Sequence, residues 1–455
     1  MRTIFKLDKQ TLRITGPLVS KIIDRFLFAH RPRLQKYKNY YDGNQEILNK
    51  SYKDDTKPCN KVVTNYCFNI VQNYSGYLTG IPISYKSEQD IKSIQDVLNY
   101  NDVHNQDDEY LKNALIYGVA YEVHYCDETG QERFKLFDSR DCIPVYSNDL
   151  NEDLLFVVHF YDDNDIWDNV KHCVDVYTAK EIIHYTSDLQ FNSMKEIGRD
   201  RHYYKQVPVS VFWLNDDRVS AYDKVMTLQD AYNKLLSAEI DDFEAFADAY
   251  LVLEGMDGTT QEDIQAMKEN RVLLPGEGGK AYYLTKSIND TQIQNLLKNI
   301  NDTIHKIANS PDFNDEKLMA QSGIAMRYKL TGMEANASNI VSNMTKALRK
   351  RIELISTVEN IKGELAVWRD IEIVFTRNLP VNELEQSQLI NNLRGLVSDK
   401  TLLSQLSFIS DVDAELEQLK KETEEKQERQ KAYINAFGGG EDEAGSEGEE
   451  ETERE

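Results

Sequence analysis

The sequence has too few cysteines, too widely spread, to be held together by disulfides or thiolate-bound zinc. Its five (Cys59, Cys67, Cys126, Cys142 and Cys173) are odd in number and include no C-x-x-C pair. His172 beside Cys173 is the nearest approach to a ligand pair, but adjacent residues on a strand point to opposite faces, so packing is the plainer role. No apolar run approaches the roughly 18 residues that would span a bilayer. The opening MRTIFKLDKQ has no secretory apolar core, so a cytoplasmic setting during synthesis, without a membrane partner, is expected. Positive charge is also scarce. The net charge is −24; residues 438–455, with nine acidic groups and one arginine, supply −8 of it and leave −16 on the rest. A protein that grips DNA by its phosphates carries a basic footprint. Tight nucleic-acid binding is therefore not expected, although passage of nucleic acid along an acidic wall remains compatible.

Catalytic signatures are missing too. Gly276-Glu-Gly-Gly-Lys280 suggests a phosphate loop, but Leu274 stands where the motif needs its first glycine and Ala281 where it needs Ser or Thr. A hairpin turn is the better reading. There is no G-x-S-x-G, H-E-x-x-H or G-x-G-x-x-G helix start. Among the many carboxylates, Asp241-Asp242 reads as a solvated helix face and Asp107-Asp108-Glu109 as a favourable placement near a helix start. The acidic run Asp162-Asp163-Asn164-Asp165 lacks the glycine and distal glutamate of a calcium loop and reads as a turn. His305 is either a titrating switch or a surface residue. The basic run from Lys346 to Arg351 could touch phosphates, pair with acidic groups of its own chain or an adjacent subunit, or be a wet face. No enzyme activity, metal or cofactor is expected.

What the chain does have is a long helical hairpin pattern. At about 150 residues per domain, 455 residues allow two to four packed units. Lys61–Leu78 and Gln106–Tyr117 have helical apolar spacing, and a basic helical pattern covers Leu18–Tyr41. Five short runs rich in Val, Ile, Tyr and Phe (119–125, 133–137, 154–161, 171–177 and 181–186) predict an antiparallel sheet with one wet face. From Ala221, Leu228, Tyr232, Leu235, Leu236, Ile240, Phe243 and Phe246 recur at steps of three and four along a helix. The period then changes: strands are predicted at 250–253, 271–274 and 281–284, around a short helix at 260–270 with Thr259 and Glu262 at capping-box spacing. A return helix, 290–308, carries Ile293, Leu296, Leu297, Ile300, Ile304 and Ile307 on one stripe, with Lys298 and His305 opposite. Ser310-Pro311-Asp312 ends it. A polar loop, a long helical region to Ile361, a strand at 371–375 and helices over 383–433 capped at Asn382 and Ser398 follow; 415–431 should fray. The acidic end should be disordered. A two-helix stalk cannot cover its whole apolar stripe by itself, so side-by-side neighbours are implied.

Five segments carry a resemblance to a known family: YYDGNQEIL (Tyr40–Leu48), NYSGYLTGIPISY (Asn73–Tyr85), YGVAYEVHY (Tyr117–Tyr125), LQDAYNKLLSAEIDDFEAFADAYLVLEG (Leu228–Gly255) and IHKIANSPDFNDEKLMAQSGIAMRYKL (Ile304–Leu330). Across roughly residues 35–425 the chain resembles the portal proteins of siphovirus-type tailed bacteriophages. The resemblance implies an α+β portal fold with a β-rich wing, a long α-helical stem, a small α/β clip and an α-helical crown, assembled as a ring of twelve at one capsid vertex. Carried onto this chain, the wing is 1–220, the stem helices 221–249 and 287–308, the clip 250–286, the tunnel loop 309–323, the long wing helix and returning strand 324–382, the crown 383–433 and a disordered acidic tail 434–455. It further implies a conduit for double-stranded DNA during packaging and ejection, read without sequence specificity. Asn309, Asp312, Asn314, Lys317, Lys298 and His305 would border the channel. Glu262, Lys268, Arg271, Glu277 and Lys280 would dock the large terminase subunit and the head-tail adaptor. Ile293, Leu296, Ile300, Phe243 and Phe246 would pack between subunits. Major capsid and scaffolding proteins complete the implied partners. The setting would be the virion, with assembly in the host cytoplasm. A capsid scaffold or adaptor without a channel, or a metal-dependent DNA-processing enzyme, are the alternatives from other classes.

Overall fold

The computed structural model describes residues 5–53, 57–164, 170–188, 191–247, 250–255, 260–262, 264–265, 279–284, 290–312, 328, 330–362, 368–378, 388, 390–403 and 412–437. Two compact units divide the chain, one comprising 1–321 with 325–378 and the other 322–324 with 379–455.

The first unit opens with strand β1 (Phe5–Leu7) and helices α1 (Gly16–Ala29) and α2 (Arg31–Tyr41). The single basic helix predicted over 18–41 is thus two: Pro32 cannot donate into a continuing helix, and the chain breaks at His30. Helix α3 (Tyr66–Thr79) begins five residues later than its apolar spacing predicts. Residues 60–65 are not helical, and side chains from a distant helix take up the N–H groups of Asn60, Val62 and Thr64, as described below. Strand β2 (Ser84–Lys86) and helices α4 (Lys92–Tyr100) and α5 (Val103–Tyr117) follow.

Gly118 ends α5 at φ +80°, and a Cβ there would lie 2.7–2.8 Å from the backbone of Arg218 and Val219, so only glycine fits that turn. It leads into β3 (Val119–Cys126) and β4 (Glu132–Phe137), then β5 (Cys142–Ser147), β6 (Leu154–Asn164), β7 (Val170–Tyr177), β8 (Glu181–Ser187), β9 (Met194–Arg201) and β10 (Val209–Trp213). The five strands expected in one antiparallel sheet are shared between two. One has the order β1-β5-β6-β7-β8-β9, with β1 and β5 parallel; the other is β10-β3-β4. Residues 162–164, expected as a turn, continue strand β6, and Asp162 is held 2.6 Å from His172 on β7. Helix α1 covers the larger sheet, with Phe26 edge-to-face on Phe160.

Helix α6 (Met226–Ala247) enters the hairpin; β11 (Tyr250–Glu254) and β12 (Lys280–Leu284) pair antiparallel between it and α7 (Asp290–Ala308). Gln261, Glu262, Ile264 and Gln265 are helical, while the strand expected at 271–274 lies outside the described residues. Gln294 Nε2 donates to Glu239 Oε1 at 2.9 Å, and Tyr66 touches both Tyr232 and His305, so α6 and α7 run antiparallel. Helix α8 (Thr331–Lys362) packs with α5 on the three-stranded sheet. Strand β13 (Glu372–Val374) does not rejoin the larger sheet; it pairs with β2. An apolar cluster of Ile91, Ile94, Val97, Leu98, Phe134, Ile352, Ile355 and Ile371 joins α4, β4 and α8.

The second unit contains α9 (Asp399–Leu403) and α10 (Val412–Phe437). Ser398 Oγ accepts from Thr401 N at 3.3 Å and so caps α9; the cap expected at Asn382 lies outside the described residues. The stretch expected to fray, 415–431, is continuous helix, braced by Glu417–Lys421 and Glu425–Arg429 pairs one turn apart. The helix also takes in 434–437, at the start of the expected acidic tail; 438–455 lie outside the described residues.

The candidate channel hairpin and the buried charges that support it

Helix α6 is held along one face by a polar ladder. Asp241, Ser237, Asn233 and Gln229 stand one helical turn apart, and each accepts a backbone N–H from the extended segment before α3. Asn60 N donates to Asp241 Oδ1 at 2.6 Å, Val62 N to Ser237 Oγ at 3.0 Å, Thr64 N to Asn233 Oδ1 at 2.9 Å and Tyr66 N to Gln229 Oε1 at 2.9 Å. The match is geometric. Four helical residues rise about 6 Å and two extended residues about 6.6 Å, so both patterns keep step over four rungs. The rungs are buried, and Lys50 closes the end as an ion pair with Asp241. Asp241 is therefore not on a solvated face, as its sequence setting suggests, but is a buried anchor. The signal was present as polar residues spaced by four.

The opposite side of α6 is apolar and open: Phe243, about 200° round the helix from Asp241, is 73% exposed. The return helix divides its stripe the same way. Leu297, Ile304 and Ala308 are buried against the rest of the unit, Ile293 and Ile300 are half-buried, and Leu296 and Ile307 are exposed (44% and 42%). The side chain of Phe246 lies outside the described residues.

The root of the expected tunnel loop is pinned down. Tyr74 OH donates to the carbonyls of Ala308 (3.0 Å) and Asn309 (3.2 Å), and Asn73 Nδ2 donates to Ser310 Oγ at 2.9 Å. Asn309 takes a left-handed φ of +49° as the chain leaves the helix. His305, expected at the surface, is half-buried, with Nδ1 2.7 Å from the Ser310 carbonyl and its ring edge-on to Tyr66. Asp312 is half-buried and Lys298 exposed. Asn314, Lys317, Lys268, Arg271 and Glu277 lie outside the described residues. Glu262 and Lys280 are exposed.

The basic run on α8 resolves into separate roles. Lys350 pairs with Glu353 at 3.2 Å. Arg351 is wholly buried and makes a two-pronged contact with Glu122 of β3 (2.8 and 2.6 Å) and an ion pair with Asp107 of α5. Of the readings open for this run, pairing within the chain holds for Arg351. Asp107 lies in the second turn of α5 as its ion partner rather than serving the helix end. Asp108 takes hydrogen bonds from Thr79 and Lys112 (2.8 and 2.6 Å) and from Ser75.

Glu122 and His124 share one face of β3, where a wet face was expected. His124 Nδ1 lies 3.0 Å from Glu132 and its Nε2 3.3 Å from Glu122, and Tyr204 OH donates to Glu132 at 2.6 Å. Burial opposes ionisation of Glu122, but the Arg351 charge and the bonds from His124 and Arg351 outweigh it, taking its pKa down to about 2. Burial likewise opposes a charge on His124, but its two glutamates prevail and raise it above the ordinary imidazole value. A base raised on folding stabilises the fold below its unfolded pKa and loses that contribution as pH rises through the folded value. The urea midpoint of the wild type should therefore fall between pH 6 and pH 9 more than that of His124→Gln. Equal slopes would place no proton on His124.

Among the described residues no group of three or more His, Cys, Asp or Glu is placed to hold a metal, and no helix is long and apolar enough to cross a membrane. Fold and surface together define an α+β protein built on a braced helical hairpin with apolar side chains turned outward. Residues 21–429 match the phage portal protein family described as SPP1 Gp6-like, and the chain belongs to that family. It is 24% identical over 446 residues to the portal protein of Bacillus phage SPP1, covering 92% of this chain and 86% of that one. To the portal protein of Clostridium phage phiCD119 it is 20% identical over 419 residues, covering 85% and 91%. A solved structure described as the neck of an empty GTA particle, computed with C6 symmetry, aligns with 12% identity and a TM-score of 0.40, over 74% of this chain and 86% of its own.

Proposed function

We propose that copies of this chain close into a ring of twelve around a channel at one vertex of a phage capsid, through which double-stranded DNA enters during packaging and leaves at ejection. Membership of the portal family supports the reading, and one observation carries it: Phe243, Leu296 and Ile307 project from a hairpin whose other side is fixed to its own unit. A head-to-tail contact that closes by rotation would cover them. In this reading 221–249 and 287–308 form the stem, 250–286 the clip, 309–323 the tunnel loop and 383–433 the crown, with 1–220 and 324–382 as the wing. The clip is where the terminase motor and then the head-tail adaptor would dock, with Glu262, Lys268, Arg271, Glu277 and Lys280 as candidate contacts. The protein acts as a passive structural conduit and not an enzyme. An excess of negative charge lets DNA slide without being gripped.

Deleting 312–317 tests the conduit apart from the ring. Electron micrographs should still show closed rings, while capsids built with the variant should package DNA poorly. Loss of rings in that variant, with the same assembly defect as a stem substitution, would refute the placement of the tunnel loop.

A further inference from the structure

A small hollow lies between the α1–α2 junction, strand β5 and the loop after β10. Phe26, Leu34, Tyr121 and Ile143 give it apolar walls, and Phe5 and Trp213 also line it. Polar side chains interrupt that lining, His30 and Arg33 among them. Arg33 Nε and His30 Nε2 are both buried, and neither has a hydrogen-bond partner among the described residues. A buried N–H of a guanidinium left unmatched is among the costlier features a fold can keep. Arg33 is otherwise engaged only weakly, its Nη2 3.5 Å from the Arg218 carbonyl. Arg218, its guanidinium stacked on Trp213 at 4.1 Å, and Asp217 also line the hollow.

We propose that this hollow is a binding site for a carboxylate carried on an apolar stem of one or two carbons. Arg33 Nε and the Nε2–H tautomer of His30 are the two donors a carboxylate needs, and the aromatic walls suit the stem. The hollow is roomier than one water needs: it measures about 60 Å3, against the ~10–15 Å3 that holds a single water. Burial, then the fields of Arg33 and Arg25, hold His30 below its ordinary pKa, so the ring is neutral and the anion would find positive charge on the arginines. The same chemistry is offered by a free short-chain acid and by an Asp or Glu side chain of a neighbouring protein molecule.

Sodium propionate, titrated into the full-length protein against matched sodium chloride, is the probe. Saturation transfer from protein to propionate, together with a saturable rise in the thermal midpoint, is the expected result, with at least tenfold weaker binding in Arg33→Gln. Transfer measured on the wild type alone decides the matter if that variant does not fold. Binding that leaves the oligomer intact identifies a free acid as the occupant; binding that loosens it identifies a neighbour's side chain. No transfer and no midpoint shift, with Arg33→Gln assembling and melting like the wild type, leaves only water in the hollow and overturns the proposal.

Discussion

Replacing Arg351 by methionine is expected to lower the unfolding free energy by about 3–5 kcal/mol, the range for removing one partner of a buried ion pair. The guanidinium is fully enclosed and is the cation shared by Glu122 and Asp107. Without it two carboxylates on β3 and α5 face each other in a dry core, and burial already raises the pKa of Asp107. The cost comes from the stranded charges and not from the arginine's packing. A triple variant, Arg351→Met with Glu122→Gln and Asp107→Asn, should therefore recover more than half of the loss. Urea unfolding at one fixed protein concentration measures both, since the stability of an assembled protein depends on concentration. Equal stability of the single and triple variants would show that packing around Arg351, and not charge, holds α8 on the sheet.

The second large effect is expected at the outward face of the hairpin. Phe243→Glu and Leu296→Glu alter side chains that are already wet in the single chain, so each should change that chain's stability by no more than ~0.5 kcal/mol. In a closed ring the same carboxylates would be desolvated without a partner at every interface, at several kcal/mol each. The double variant should stay folded and remain monomeric. Ile304→Glu supplies the contrast: Ile304 is fully buried within its own unit, and its replacement should unfold the chain at any concentration. Rings formed by the double variant would remove the stem from the subunit contact.

Much of this hairpin was legible in the sequence because long amphipathic helices announce themselves by period. The bounds 290–308 read from apolar spacing coincide with the helix found. Other elements were hidden for physical reasons. Pro144 made β5 look unlike a strand, although β1 and β6 flank it. Strand β9, MKEIGRDR, is an edge whose charges protect it from pairing and also disguise it. Val62, Val63, Tyr66 and Ile70 have helical spacing, yet the first two lie outside the helix, where α6 supplies hydrogen-bond acceptors from more than 160 residues away. That dependence on distant partners is what local pattern cannot carry. Arg351 is the same case: within Lys346–Arg351 nothing marks it off from its neighbours, and only the pairing of β3, α5 and α8 selects it for burial. The polar residues Glu122 and His124, alternating on one face of an otherwise apolar strand, were the one local hint that this face had something to meet.

A density map of the purified full-length particle decides whether the hairpin seals against its neighbours around a hollow axis. The expected map is a closed ring with an open centre, in which Phe243, Leu296 and Ile307 of each subunit lie against the hairpin of the next. A map of a solitary chain, or of an oligomer in which these three side chains face solvent, would contradict it.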